Sequence, residues 1–174
     1  YRDGGHGQVL AVLQQARDRG DPQTLANVLN LAHHCLLGAE HGVTRRAIAD
    51  ELLLVSARTG CGTDLLMALL WRAVDRLLDG DPHAERSLTE LTGELAVRDH
   101  LAVRYVARSI EVMLAIRAGD FERAEEQAVQ CLHLGERCGD LDATGWFRGQ
   151  LLAIRWFQGR VGELLPELSH QLHS

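Results

Sequence analysis

An all-α solenoid of about nine helices is the fold this sequence predicts, and three observations predict it. Helix formers dominate the 174 residues: Leu, Ala, Glu and Arg recur in long runs, with only three prolines and two asparagines. Glycines punctuate these runs at a steady interval, with Gly42, Gly80, Gly119 and Gly159 lying 38, 39 and 40 residues apart. A second series of breaks falls between them, at Gly20-Asp21, Gly60-Cys61, Arg98-Asp99 and Gly139-Asp140. Two interleaved series of turns at one period of 38–40 residues describe antiparallel helix pairs stacked in a row.

Taken in order, residues 1–6 (Tyr-Arg-Asp-Gly-Gly-His) read as a frayed start, and 7–174 as one repeat domain. Val9, Leu10, Val12, Leu13 and Ala16 put an apolar stripe on a helix over 7–19. Asp21-Pro22 is a start signal, a capping carboxylate followed by proline at the first helical position, for a helix reaching about Leu37. Residues 38–43 form the longest internal turn. Thr44 then caps a helix over 45–58 with Ala47, Ile48, Leu52 and Val55 inward. After Gly60-Cys61-Gly62, Thr63 opens a helix over 64–79.

That helix is apolar over a wide arc, as are those expected over 100–118 and 142–158, the last carrying Trp146, Phe147, Leu151, Ile154, Trp156 and Phe157. Helices hydrophobic most of the way round belong between neighbours, so these three form an inner layer. Their more charged partners over 82–97 and 121–137 form the outer layer. Gly119 separates one such pair, with Asp120 capping the second helix and Ala124 and Ala128 letting the two backbones approach. A last helix from Val161 or Gly162, with Pro166 in its first turns, closes the array.

The turn Gly119-Asp120-Phe121-Glu122-Arg123-Ala124 resembles that of a tetratricopeptide repeat, in a version longer than the family's usual 34 residues. Over residues 21–168 the chain is similar to the helical-repeat region of large actinobacterial regulators, the Streptomyces antibiotic regulatory proteins and the large LuxR-type regulators. The phrases that carry this are RRAIADELLLVSARTG, LLMALLWRAVDRLLDGD, AIRAGDFERAEEQAVQCLHLGERCGD and LLAIRWFQGRVGELLPEL. The resemblance implies a right-handed superhelix and a scaffold role beside DNA-binding and ATPase domains. Neither of those domains lies within these residues, and a chain opening on Tyr1 rather than Met reads as a piece of a larger protein.

Composition narrows the function classes. A net charge of −6 opposes a nucleic-acid surface, which needs a basic stripe. No apolar run reaches the roughly 18 residues of a membrane span. All 18 basic residues are arginine, the codon bias of a GC-rich, actinobacterial genome. With no lysine, phosphate-loop and Schiff-base chemistry are excluded. Four cysteines without paired close spacing suit free thiols in a reducing cytoplasm, and no cofactor is expected.

Three constellations resolve to structure. In Cys131, His133 and Cys138 the histidine points roughly 200° away from the first cysteine, so no metal site is expected. His33, His34 and Cys35 fan out by about 100° each and cannot converge on a substrate. Residues 43–60 resemble half of a DNA-binding helix-turn-helix, but Leu53 stands where its turn needs glycine. No acid/base or nucleophile set supports catalysis.

A row of polar residues on the inner layer remains. Arg108 and Arg148 are 40 residues apart, in register on successive inner helices. Arg72 with Glu111, and Arg76 with Arg155, form further registers, and Tyr105 stands among them. The expected site is a groove of Arg72, Arg76, Tyr105, Arg108, Glu111, Arg148 and Arg155 whose guanidinium groups clamp carboxylates of a protein or peptide partner. Opposed to it is a solvated face with internal pairs Arg72–Asp75 and Arg108–Glu111. The expected function is non-catalytic interaction, with a protein partner or another domain of the chain, in a transcriptional or signalling regulator. The alternative is a small-molecule sensor with Trp71, Tyr105, Trp146 and Trp156 lining a pocket. Apolar ends, Val9, Leu10, Val12 and Leu13 or Leu164, Leu165 and Leu168, add self-association into a homodimer as an expectation.

Overall fold

The computed structural model describes residues 3–164. Within them the chain is all helical: α1 (Asp3–Arg19), α2 (Pro22–Cys35), α3 (Gly42–Thr59), α4 (Gly62–Leu78), α5 (Ala84–Val97), α6 (Leu101–Ala118), α7 (Phe121–Cys138) and α8 (Ala143–Phe157). Eight α-helices stand where about nine were expected. At the expected ninth, Val161–Leu164 forms a short 3-10 turn, and Leu165, Pro166 and Leu168 lie outside the described residues.

Helix ends are where local chemistry is clearest. Gly20, Gly60, Gly80, Gly119, Gly139 and Gly159 all have positive φ, the left-handed conformation that ends a helix without a Cβ penalty. The Asp21 carboxylate accepts the Thr24 amide at 2.8 Å, with Pro22 at the first helical position. Asp120 accepts the Arg123 amide at 3.3 Å.

Several limits move. Helix α1 starts at Asp3, inside the stretch expected to fray. Gly42 is not a break: it is right-handed, with φ −52°, and opens α3. Thr44 and Thr63 therefore lie inside helices, and the cap positions of α3 and α4 fall on His41 and Cys61. With the break displaced, Ala47 faces solvent and Ala49 is the small residue packed inward. Helix α3 runs unbroken through Leu53, so no helix-turn-helix bend forms.

The chain divides into two compact units, Tyr1–His100 and Leu101–Ser174. In the first, each helix from α1 to α5 packs on the next, and α2 also touches α4. Its core gathers Leu13, Leu25, Leu29, Leu36, Ile48, Leu52 and Val55, with Trp71 against it. In the second, α7 packs on both α6 and α8, which also touch each other. Ala124 and Ala128 are fully buried, as close approach of α7 to its neighbours requires. Val112 and Cys131 pack with Ala128, and Ile154 with Ala115 and Ala124. Each unit thus has second-neighbour contact between alternate helices, α2 with α4 in the first and α6 with α8 in the second.

Candidate functional site

The second unit carries an open groove of 660 Å³ along α6 and α8. Val106, Ile110, Met113 and Ile116 line it from α6, and Trp146, Ala153 and Phe157 from α8. These residues lie at steps of three, four and seven along their helices, so they share a face. The expectation that a wide apolar arc is sandwiched fails here. Trp146 is 57% exposed and Phe157 67%, and Met113 is also exposed. Apolar side chains thus line up along one solvent-facing strip of the unit. Polar groups are few: Ser109 and Gln150 between the helices, Arg117 and Asp142 besides. The Gln150 amide nitrogen donates to Cys131 Sγ at 3.7 Å, while its carbonyl oxygen is buried without a partner.

One glycine sets the packing beneath. Gly135 on α7 is buried, and a Cβ there would lie 2.7 Å from the Ala143 Cβ and 3.0 Å from the Tyr105 ring. Tyr105 therefore slots under α7 rather than facing the groove. Its hydroxyl is buried without a partner in hydrogen-bonding geometry. Burial first, and then the nearby Asp140 carboxylate, push the phenol far above its ordinary value.

The expected arginine row is engaged within each unit. Arg108 donates to Glu111 at 2.6 Å, the i,i+3 pair predicted. Arg155 pairs with Glu125, tying α8 to α7, and that guanidinium holds the Glu125 carboxyl below its usual range. Arg148 is exposed on α8 and has an interaction of its own. None of Tyr105, Arg108, Glu111, Arg148 and Arg155 lines the groove. In the first unit Arg72 pairs with Glu90 at 2.6 Å, and Arg76 donates to the Ser87 hydroxyl at 2.5 Å. The predicted Arg72–Asp75 pair is replaced. Nor do the four aromatic residues of the alternative pocket converge. Trp71 packs in the first unit, Tyr105 lies under α7, and of the rest only Trp146 lines the groove.

Asp75 belongs to a buried polar cluster in the first unit. The Asp75 carboxylate, 1% exposed, accepts from Arg45 Nε at 2.7 Å and from His33 Nε2 at 2.8 Å. Arg45, 2% exposed, also donates to the carbonyls of Leu36 and Gly38 at 3.1 and 2.6 Å. Trp71 stacks on His33 with ring centroids 4.4 Å apart and donates its indole N–H to Asn30 at 2.6 Å. Arg45 thereby joins the end of α2 to the turn after it, donating to the carbonyl of the cap residue Leu36 and to that of Gly38. Removing one partner of such a buried charge pair costs about 3–5 kcal/mol. The signal was present as a lone acid in the apolar run of α4, but its partners lie 30 and 42 residues away.

His33, His34 and Cys35 do fan apart, the first buried and the other two exposed. Cys131 is buried against Ser109 at 3.0 Å, while His133 faces solvent. Among the described residues no His, Cys, Asp and Glu group could hold a metal ion, and no helix is long and apolar enough to cross a membrane. Comparison with protein-family models, curated proteins and solved structures finds no match to this chain.

Proposed function

We propose that the chain is a non-catalytic, tetratricopeptide-like interaction module whose α6–α8 groove receives an apolar segment of a protein partner. The observation that carries the reading is the exposure of Val106, Met113, Trp146 and Phe157 along that one groove. Tryptophan in such a position supplies large contact area at low entropic cost, the character of an interface anchor. An amphipathic helix with apolar residues at i, i+3, i+4 and i+7 is the segment that complements a groove between two helices. Binding rests on burial of apolar surface, not on the arginine clamp expected from the repeat register. A place in a cytoplasmic transcriptional or signalling regulator rests on the resemblance of its repeat phrases to those of bacterial regulators.

Selection of 15-residue peptides from a display library tests this. Enriched sequences are expected to carry the helical apolar pattern and to lose binding when Met113→Glu or Trp146→Ser is introduced. No enrichment, or enrichment that survives both changes, overturns the reading.

A second reading keeps one observation. The groove's 660 Å³ lies within the about 300–1,000 Å³ of small-molecule sites, and Ser109 and Gln150 are polar residues in its lining. An apolar small molecule with one hydroxyl would then replace the peptide. Mass spectrometry of organic extracts of the purified chain separates the two, because only the sensor retains a stoichiometric compound that Trp146→Ser loses.

A further inference from the structure

The first unit holds a second, chemically different site, a cleft of 210 Å³ lined by Arg46, Ala49 and Asp50 of α3, Arg72, Asp75 and Arg76 of α4, and Asp79 and Asp81 after it. Most of its charges are matched within the unit. Arg46 pairs with Asp79, Arg72 with Glu90, and Asp75 with Arg45 and His33. The Asp81 carboxylate accepts the His83 amide at 2.7 Å.

Besides Asp81, two groups remain open. Arg76 makes its one hydrogen bond to the neutral Ser87 hydroxyl and has no carboxylate partner among the described residues. Arg72 Nε has no hydrogen-bond partner either, but it is buried out of a ligand's reach, and the guanidinium is already engaged by Glu90. Asp50 is exposed and has no partner among the described residues. Arg72 and Arg76 lie four residues apart on one face of α4. The Arg46–Asp79 pair sets the register of α3 against α4, and one turn along α3 brings Asp50 level with the span between the two arginines.

The cleft therefore offers donors for an anion and, opposite them, a carboxylate for a cation. A bare phosphate fits poorly, because four aspartates line the cleft against three arginines. A peptide or drug-sized ligand needs more room than 210 Å³, since such sites span about 300–1,000 Å³. We propose that this cleft binds a free α-amino acid, its carboxylate held by Arg76 and its ammonium by Asp50. Each contact is a charge-assisted hydrogen bond in a partly enclosed setting, the kind that carries recognition of small charged ligands. This inference stands apart from the groove, which uses none of these residues.

Calorimetric titration of the chain with each of the twenty free amino acids tests it. At least one is expected to bind saturably, and its N-acetyl and methyl-ester derivatives to bind at least about tenfold more weakly, because each has lost one charge. Asp50→Asn, a change at an exposed position, is expected to weaken the free amino acid about tenfold while abolishing the discrimination against the N-acetyl form. Arg76→Gln is expected to abolish the discrimination against the methyl ester. The proposal fails if no free amino acid binds, if both derivatives bind as well as the parent, or if both variants titrate as wild type.

Discussion

Tyr105 is the residue whose chemistry the packing alters most. Burial and then Asp140 raise its pKa far above the ordinary 10.0. The folded state therefore favours the neutral phenol, and the sign follows from linkage. Stability is unaffected below about pH 10, where both states keep the proton, and falls as the pH climbs from there toward the folded pKa. Tyr105→Phe should remove most of that alkaline loss. At pH 7 it should stay within about 1 kcal/mol of wild type or gain slightly, because the hydroxyl it deletes has no partner. Urea midpoints at pH 7, 9 and 11 check this. Cys138, raised by its own burial, titrates in the same direction, so the comparison is between variant and wild type at each pH. A variant whose midpoint falls as steeply as wild type would show that the phenol is not what titrates. Residue roles of this kind were the least legible in the sequence. Arg155 reads as a groove residue because the repeat register aligns it with Arg76, but register fixes a position along a helix and not what packs opposite. Asp75 shows the same limit, since its partners Arg45 and His33 come from two other helices.

At the scale of the element, two glycines inside helices make opposite predictions. Gly135 in α7 has the Ala143 Cβ and the Tyr105 ring where its own Cβ would stand, whereas nothing lies within 4 Å of the Cβ position of Gly149 in α8. Gly135→Ala should destabilise by about 1–3 kcal/mol through overpacking. Gly149→Ala should stabilise by up to about 1 kcal/mol, since glycine is the poorer helix former. Thermal melts shifting in opposite directions are the expected result, and a Gly135→Ala variant as stable as wild type would refute the close approach of α6, α7 and α8. Element limits were mostly legible, because left-handed glycines and capping aspartates act within a few residues. The failures share one cause. Gly42 looks like another turn glycine, but α2 already ends at Leu36 and Gly42 opens α3 in a right-handed conformation. Once the break moved, Thr44 lost its cap and Ala47 its inward place.

For the whole molecule, periodicity announced a helical array but not its division after His100. The break at 98–100 falls on the same beat as the others, and a period says nothing about which successive elements share a core. Nor could an apolar arc reveal that part of it stays open to solvent, since Trp146 and Phe157 read the same whether a helix or a partner covers them. Each unit is built around its own cluster of buried residues, and each candidate site draws its lining from one unit. The two sites should therefore titrate independently. Asp50→Asn, which impairs the polar cleft, should leave peptide affinity for the groove within about twofold, and Trp146→Ser should leave amino-acid affinity for the cleft equally unchanged. Coupling between ligands is reciprocal in free energy, so one experiment run in both directions checks itself. Saturating the cleft with its amino acid should not move the peptide Kd, and saturating the groove with peptide should not move the amino-acid Kd. A shift of about fivefold or more, equal in both titrations, would correspond to roughly 1 kcal/mol of coupling. It would show that the chain transmits between its units and does not merely carry two sites.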